Sequence, residues 1–341
     1  MDRNWSLGPV EPGLVSVIIP AYNVGCFLAE AFDSVLRQTY RPIECIVVDD
    51  GSTDETAEVA ARTLELNDPY FRTTYIRQRN QGAQAARNCG VKASRGEYIQ
   101  YLDGDDLLTK DKIEAQVNFL ASACGQGYGV AYGDARFLLE KRSGFQIGEQ
   151  LGTGCMDDPV VGLLGGSFNP SFSYLCRRSA VQASGPWNPA IKINQDFEYF
   201  LRMACKGFCF CHLPRVTGFY RKHSGSRISD QGMLLRARTT LTILKSAENI
   251  VETANVLTPV RRYAFAKAYR NVSCWTFTLD RVAWKESLGH SLRLCPDLSP
   301  EQLIARYLQK FLGVWNTEAL LGTARRVREN LRRAESTQRV I

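Results

Sequence analysis

Three short apolar runs, each closed by a proline or by a cluster of acids, constrain this chain more than any other feature. Residues 15–19 end at Pro20, residues 43–48 at Asp49-Asp50, and residues 98–102 at Asp103-Gly104-Asp105-Asp106. Runs of this length suit buried strands and are far too short to cross a bilayer as helices. Between the first two, Phe27, Leu28, Ala31, Phe32, Val35 and Leu36 recur at helical spacing and form one apolar stripe, which stops at the turn over 40–42. Strand, helix and strand in that order predict a mostly parallel sheet with helices on its faces.

Gly51 permits a tight turn after the second run, and Ser52 or Thr53 is placed to cap the next helix. Further strands are expected at 73–76 and 128–132, and helices at 83–93 and 110–120. Residues 140–171 are rich in glycine and lack a period, which reads as loops around a site. From Gly232 the pattern is helical, at 239–252, 264–272, 300–312 and 319–334. The break near 227–232 divides the chain into an N-terminal extension (1–14), a sheet domain (15–229) and a C-terminal helical region (230–341).

A chain of 341 residues, 45% hydrophobic and 23% charged, can bury a full core, which excludes the disordered and fibrous classes. Residues 1–14 carry acidic and proline positions without an apolar run, which reads as no secretory leader. Eleven cysteines, an odd number without a paired spacing, then suit reduced thiols in the cytoplasm. Cys205, Cys209, Cys211 and His212 could be read as a zinc site, but Cys209 and Cys211 fall on one side of an expected strand with no second ligand pair.

Part of the net charge of +7 lies near the end, at Arg325, Arg326, Arg328, Arg332, Arg333 and Arg339. That segment reads either as a solvated helix end or as an attachment to anionic lipid, worth about 1 kcal/mol per basic residue near a membrane surface. Its basic residues lack interleaved aromatics, so nucleic acid is not an expected partner.

Ligands of open α/β sheets bind outside the carboxyl ends of the strands, where both acidic clusters fall. Carboxylates crowded together repel one another unless a cation or a hydrogen-bonding ligand compensates. Oxygen ligands with open positions suit Mg²⁺ or Mn²⁺ bridging to substrate phosphates. A single Asp-Gly would be a turn residue or a helix cap; two clusters at equivalent strand ends favour a site. Neither G-x-G-x-x-G nor G-x-x-x-x-G-K-[ST] occurs, so nucleotide phosphates would be held mainly by metal.

In order and spacing, Val15-Ser-Val-Ile-Ile-Pro-Ala-Tyr-Asn23, Val47-Val-Asp-Asp-Gly-Ser-Thr-Asp54, Ala86-Arg-Asn88 and Gly96-Glu-Tyr-Ile-Gln-Tyr-Leu-Asp-Gly-Asp-Asp106 resemble the family 2 glycosyltransferases of the GT-A fold. A weaker likeness continues through Asn194-Gln-Asp-Phe-Glu-Tyr-Phe-Leu-Arg202 and Tyr220-Arg-Lys-His223-Ser-Gly-Ser226, so it covers residues 14–227. The resemblance implies a Rossmann-like mixed α/β sheet flanked by helices, with a helical appendage. It also implies an inverting transferase that uses a nucleotide-diphospho-sugar, a UDP-sugar above all, and a divalent cation.

Residue by residue, the resemblance implies that Pro20, Tyr22 and Asp50 contact the base and ribose and that Asp49 supports that strand end. Arg87 and Asn88 would line the donor pocket, and Asp103 would meet the ribose or sugar; Ala21, Asn23 and Gly104 complete the donor-binding set. Asp105 would coordinate the metal within the D-x-D element Asp103-Gly104-Asp105. Asp196 looks like the catalytic base, with Gln195 where the family places Glu; as an alternative, Asp196 is a first-turn acid favoured by the helix dipole. His223 is either a further metal or phosphate ligand or an ordinary histidine. Trp187 either stacks on an acceptor sugar or is buried, and Gln195 is the other acceptor-side candidate.

The acceptor implied is a glycan or lipid-linked sugar, in cell-surface polysaccharide or glycolipid synthesis, with the basic tail offering peripheral attachment at the inner membrane face. Two rival readings stand. A sugar nucleotidyltransferase would need a glycine-rich loop with Arg after the first strand, where Pro20-Ala-Tyr-Asn23 stands instead. A catalytically silent sugar-nucleotide-binding subunit is motivated by Gln195 and the unmatched helical tail.

Overall fold

The computed structural model describes residues 5–63, 68–141, 144–152, 154–167, 169–223 and 232–298, with 316 and 319–323. The chain divides into two compact units, Met1–Asp230 and Gln231–Ile341.

The first unit opens with parallel strands. β1 (Glu11–Ala21) lies between β2 (Ile43–Asp49) and β4 (Gly96–Tyr101), and β2 continues to β3 (Phe71–Arg77), all parallel. From Leu14 onward β1 is buried, as is every residue of β2, which is the mark of strands covered on both faces. The crossovers are α1 (Gly25–Leu36), α2 (Thr56–Arg62) and α3 (Ala83–Ala93). Leu28, Ala31, Phe32 and Val35 of α1 join Val15, Val17 and Ile19 of β1 in one core, as the helical spacing of that stripe predicts.

Beyond β4 the sheet becomes mixed. The further elements are β5 (Leu107–Leu108), α4 (Lys112–Ala121), β6 (Tyr128–Lys141), β7 (Gly144–Leu151), α5 (Pro159–Leu164), β8 (Tyr174–Arg177), α6 (Arg178–Ser184), α7 (Gln195–Cys205) and β9 (Cys209–Lys222). Among the described residues the nine strands run β3-β2-β1-β4-β8-β6-β9-β5, with β7 beside β6. Since β8 is antiparallel to both β4 and β6, those two point the same way, and β9 runs parallel to β6. The carboxyl ends of β1, β2, β4 and β6 therefore all lie on one edge of the sheet.

Three local expectations need correction. Residues 144–151, read as loop, are β7, the return strand of a hairpin on a β6 that runs to Lys141. None of its residues is fully buried, so no apolar alternation marks it in the sequence. Helix α5 lies in the same stretch, capped by Asp158, whose carboxylate accepts from the N–H groups of Val160 and Val161. Finally, α2 begins at Thr56 instead of near Ser52: Asp54 Oδ1 accepts from Thr56 N, while Ser52 Oγ accepts from Asn23 N. Ser52 thus ties the turn after β2 to the turn after β1.

The second unit is helical where it is described: α8 (Met233–Thr253), α9 (Pro259–Thr276), α10 (Arg281–Leu294) and a turn at 319–323. Thr258 and Asp280 cap α9 and α10 with their side-chain oxygens. The helix expected at 300–312, most of the one at 319–334, and the break at 227–232 up to Gln231 lie outside the described residues.

Candidate active site

The register of the parallel strands sets the site. Ala21 stands opposite Asp49 and Ile18 opposite Tyr101, so β2, β1 and β4 end side by side. Asp50 N donates to Ala21 O at 2.8 Å. A Cβ on Gly104 would come within 2.9 Å of Val24 Cγ2 and 3.4 Å of Pro20 O, so glycine lets the loop after β4 lie against the turn after β1. In that turn Asn23 takes a left-handed φ of 51° and accepts from Thr53 N, while Tyr22 is 49% exposed.

The two acidic clusters flank the end of β1, but they differ in what their carboxylates face. Asp49 is fully buried and accepts from Ser52 N at 2.8 Å and Tyr75 OH at 2.9 Å, with Arg77 Nε at 3.5 Å. Burial and this carboxylate push the Tyr75 hydroxyl up to about 12, which keeps it a donor. Asp50, also buried, accepts from Gln78 Nε2 at 2.7 Å, Gln81 N at 2.9 Å and Gly82 N at 2.7 Å, fastening residues 78–82. Protein donors thus compensate the first pair.

The second cluster is open. Asp103 Oδ1 accepts from Arg87 Nη2 at 2.6 Å, and the side chain of Asp103 remains 30% exposed. Arg87, buried on α3, also donates from Nη1 to Gln195 Oε1 at 2.9 Å, and Gln195 Nε2 donates to Lys192 O at 3.0 Å. One residue on, Asp196 sits in the first turn of α7, which follows Asn194 in a left-handed conformation. Burial pushes the Asp196 carboxyl up to about 6; Arg87 opposes the rise, Asp103 adds to it, and the Ser171 backbone hydrogen bond lowers it.

Asp106 turns inward, accepting from Arg221 N at 2.9 Å, and burial with Asp105 and Asp103 nearby holds its carboxyl well above the usual range. Asp105 turns outward, its Oδ2 3.2 Å from His223 Nε2. Among the described residues no three acidic, cysteine or histidine side chains converge as a closed metal site. Asp105 and His223 nonetheless fit a divalent cation as a pair: one carboxylate oxygen and one imidazole nitrogen, both partly exposed, leave positions for substrate phosphates. His212, weighed above as a zinc ligand, pairs with Asp134 at 2.9 Å instead.

The family model described as "Glycosyl transferase family 2" matches residues 16–182. That stretch is similar to the family 2 glycosyltransferases. A Haemophilus influenzae protein named "Uncharacterized glycosyltransferase" is 40% identical over 107 residues, 31% of this chain and 42% of that one. Glycosyltransferase GlyA of Streptococcus pneumoniae is 41% identical over 100 residues, 29% of this chain and 14% of that one. The matches thus take in less than half of these relatives' own length. Among solved structures, S. aureus TarS 1-349 in complex with UDP-GlcNAc superposes with a TM-score of 0.58 at 17% identity, covering 82% of this chain and 81% of that one. Mannosyltransferase PcManGT of Pyrobaculum calidifontis, in complex with GDP-Man and Mn²⁺, gives 0.57 at 18% identity, covering 96% and 84%. The fold is GT-A.

Within that stretch and the residues that follow it, three of the candidate side chains are engaged by protein neighbours. Trp187 is 1% exposed, stacked on Tyr199 at 4.1 Å between ring centroids, with the Arg87 guanidinium 4.5 Å from its own ring, so it offers no platform to a sugar. Asn88, expected to line the donor pocket, exchanges 2.8 Å hydrogen bonds in both directions with the backbone of Trp187. Gln195, expected on the acceptor side, has its amide engaged by Arg87 and Lys192. Arg221 was missed. It lies near the end of β9, two residues before His223, which follows the strand directly.

Proposed function

We propose that this chain transfers a sugar from a nucleotide diphosphate donor to an acceptor hydroxyl in a single displacement that inverts the anomeric carbon. The observation that carries this reading is the Asp103–Arg87–Gln195 chain of hydrogen bonds, which ties the acid at the end of β4 to the residue before Asp196. Asp196 accepts the acceptor's hydroxyl proton as that oxygen bonds to the anomeric carbon and the nucleoside diphosphate departs. Its raised position near 6 keeps it ionised at neutral pH yet basic enough to take a proton. Asp105 and His223 would hold a divalent cation, which when bound supplies the positive charge that a departing diphosphate requires. Asp50 and its loop would shape the wall for the base, beside the exposed ring of Tyr22.

A UDP-sugar is the first donor to test, from the resemblance in the motifs and from TarS with UDP-GlcNAc; a GDP-sugar is the second, from PcManGT. A glycan or lipid-linked acceptor in cell-surface polysaccharide or glycolipid synthesis fits this chemistry. No helix of the described residues is long and apolar enough to cross a membrane. Attachment at a membrane face would fall to the basic residues of 325–339, which lie outside the described residues.

Incubation with Mn²⁺ and a panel of UDP- and GDP-sugars is the test. Release of nucleoside diphosphate is expected, first slowly to water and faster when acceptor is added. Pyrophosphate as the product would make the chain a nucleotidyltransferase, and donor binding without any turnover would make it a silent subunit.

A further inference from the structure

Next to the acid loop, β9 carries a charged side chain for which the reaction above has no use. Arg221 is only 1% exposed at its side chain, although a guanidinium stays charged in proteins and is costly to desolvate. Its contacts explain how that burial is tolerated. Nε donates to the backbone carbonyl of Asp105 at 2.7 Å, Nη2 donates to Glu30 Oε2 at 2.6 Å, and the backbone N–H holds Asp106 Oδ1 at 2.9 Å. The guanidinium also stands over two rings, 4.8 Å from the centroid of Phe27 and 4.5 Å from that of Phe145.

Those same partners reach His223. The ring of Phe27 lies 4.6 Å from the His223 imidazole, centroid to centroid, and His223 Nε2 is 3.2 Å from Asp105 Oδ2. Arg221 thus fixes Asp105 through its carbonyl while resting on the ring that flanks His223. Phe145 arrives from β7, so the hairpin beyond β6 takes part in the same cluster.

We infer that Arg221 is a positioning residue for the Asp105–His223 pair, setting the spacing at which those two side chains take up a divalent cation, with Phe27 and Phe145 keeping its guanidinium in place. This inference rests on the reading of Asp105 and His223 as cation ligands. A purely structural role would be met by any apolar side chain that fills the space between the rings. The bond to the carbonyl of Asp105 is what such a role does not require. Lysine is a poor replacement, because the guanidinium reaches Asp105 O from Nε and Glu30 from Nη2, a fixed fork that the point charge of an ammonium does not reproduce.

The test measures binding of Mn²⁺ alone, from the spin-resonance signal of the free ion, in the full chain and in Arg221→Lys, Phe145→Ala and Asp105→Asn. Residues that orient metal ligands typically govern about 10- to 100-fold in metal affinity, and a loss of that size is expected for Arg221→Lys with a thermal midpoint near that of the parent. Phe145→Ala, on the half-buried hairpin, should fold normally and lose about 3-fold, the scale of one cation–π contact. In turnover, Arg221→Lys should raise the Mn²⁺ concentration needed for half-maximal rate while kcat at saturating Mn²⁺ returns toward the parent value. Unchanged Mn²⁺ affinity in both Arg221→Lys and Phe145→Ala, with Asp105→Asn still impaired, would overturn the positioning role and leave the cation site standing. A parent chain that takes up no Mn²⁺ would overturn both.

Discussion

His223 Nε2 and Asp105 Oδ2, 118 positions apart in the sequence, stand 3.2 Å from each other at the end of β9 and the loop after β4. Two ligands are few for a resident metal but enough for one that arrives with its substrate, since Mg²⁺ and Mn²⁺ commonly share their coordination between carboxylate and phosphate oxygens. Donor affinity should therefore depend on the metal. Asp105→Ala, or EDTA added to the parent chain, is expected to abolish donor binding at micromolar levels in calorimetry. Equal affinity with and without EDTA would remove the cation from the site.

Asp196 gives a prediction with a sign. Burial and Asp103 push its carboxyl up to about 6 against the pull of Arg87, and a base works only when ionised. Turnover should rise as the pH passes through about 6 and level off above it. Fold stability should move the opposite way: the folded chain holds this proton more tightly than the unfolded one, so the contribution is complete below about 4 and is lost as the pH climbs through 6. Asp196→Asn should lower kcat by about 10²- to 10⁴-fold, the usual share of a positioned base, with donor affinity retained. Near-normal turnover in that variant would assign the base elsewhere.

Gln195 bears on how that base is tuned. Its amide oxygen accepts from Arg87 Nη1 at 2.9 Å, so a glutamate there would compete with Asp103 for the same guanidinium and add a negative charge beside Asp196. Both effects make ionisation of Asp196 harder. Gln195→Glu should shift the rising limb of the pH–rate profile to higher pH, and a limb that stays put or moves to lower pH would show that Arg87 does not couple the two residues.

The sequence made the strands, crossovers and acidic loops legible because each leaves a local mark. A run that is buried on both faces is apolar throughout, as in β1 and β2, and an acid at a strand end is visible as such. What each acid faces was not legible. Asp50 and Asp105 look alike in sequence, yet Gln78, Gln81 and Gly82 close over the first, while the second meets His223 from the end of another strand. Trp187 is a similar case: whether an indole is a platform or part of the core depends on Tyr199 and Arg87, which reach it from α7 and α3. β7 escaped notice for the opposite reason, since a strand with no buried residue carries no apolar alternation to find.

In the helical unit, one buried acid holds three helices together. Glu248 on α8 is 3% exposed; its Oε2 accepts from Tyr269 OH on α9 at 2.8 Å and its Oε1 accepts from Arg293 Nη2 on α10 at 2.5 Å, with His290 Nδ1 3.2 Å from Oε2. Burial and the neighbouring carboxylate push the Tyr269 hydroxyl well up, so it serves as a donor at every working pH. Removing the acceptor while the donor stays buried costs about 1–3 kcal/mol, more than the bond itself contributes, because Tyr269 cannot reach water. The Arg293 arm matters less, since that side chain is half exposed and water screens it. Glu248→Ala is therefore expected to accelerate amide exchange along α8, α9 and α10 together, whereas Glu248→Gln, which keeps an oxygen for Tyr269, should recover most of the protection. Exchange that rises equally in both variants would place the stabilisation in the charge pair with Arg293 and not in the tyrosine hydrogen bond.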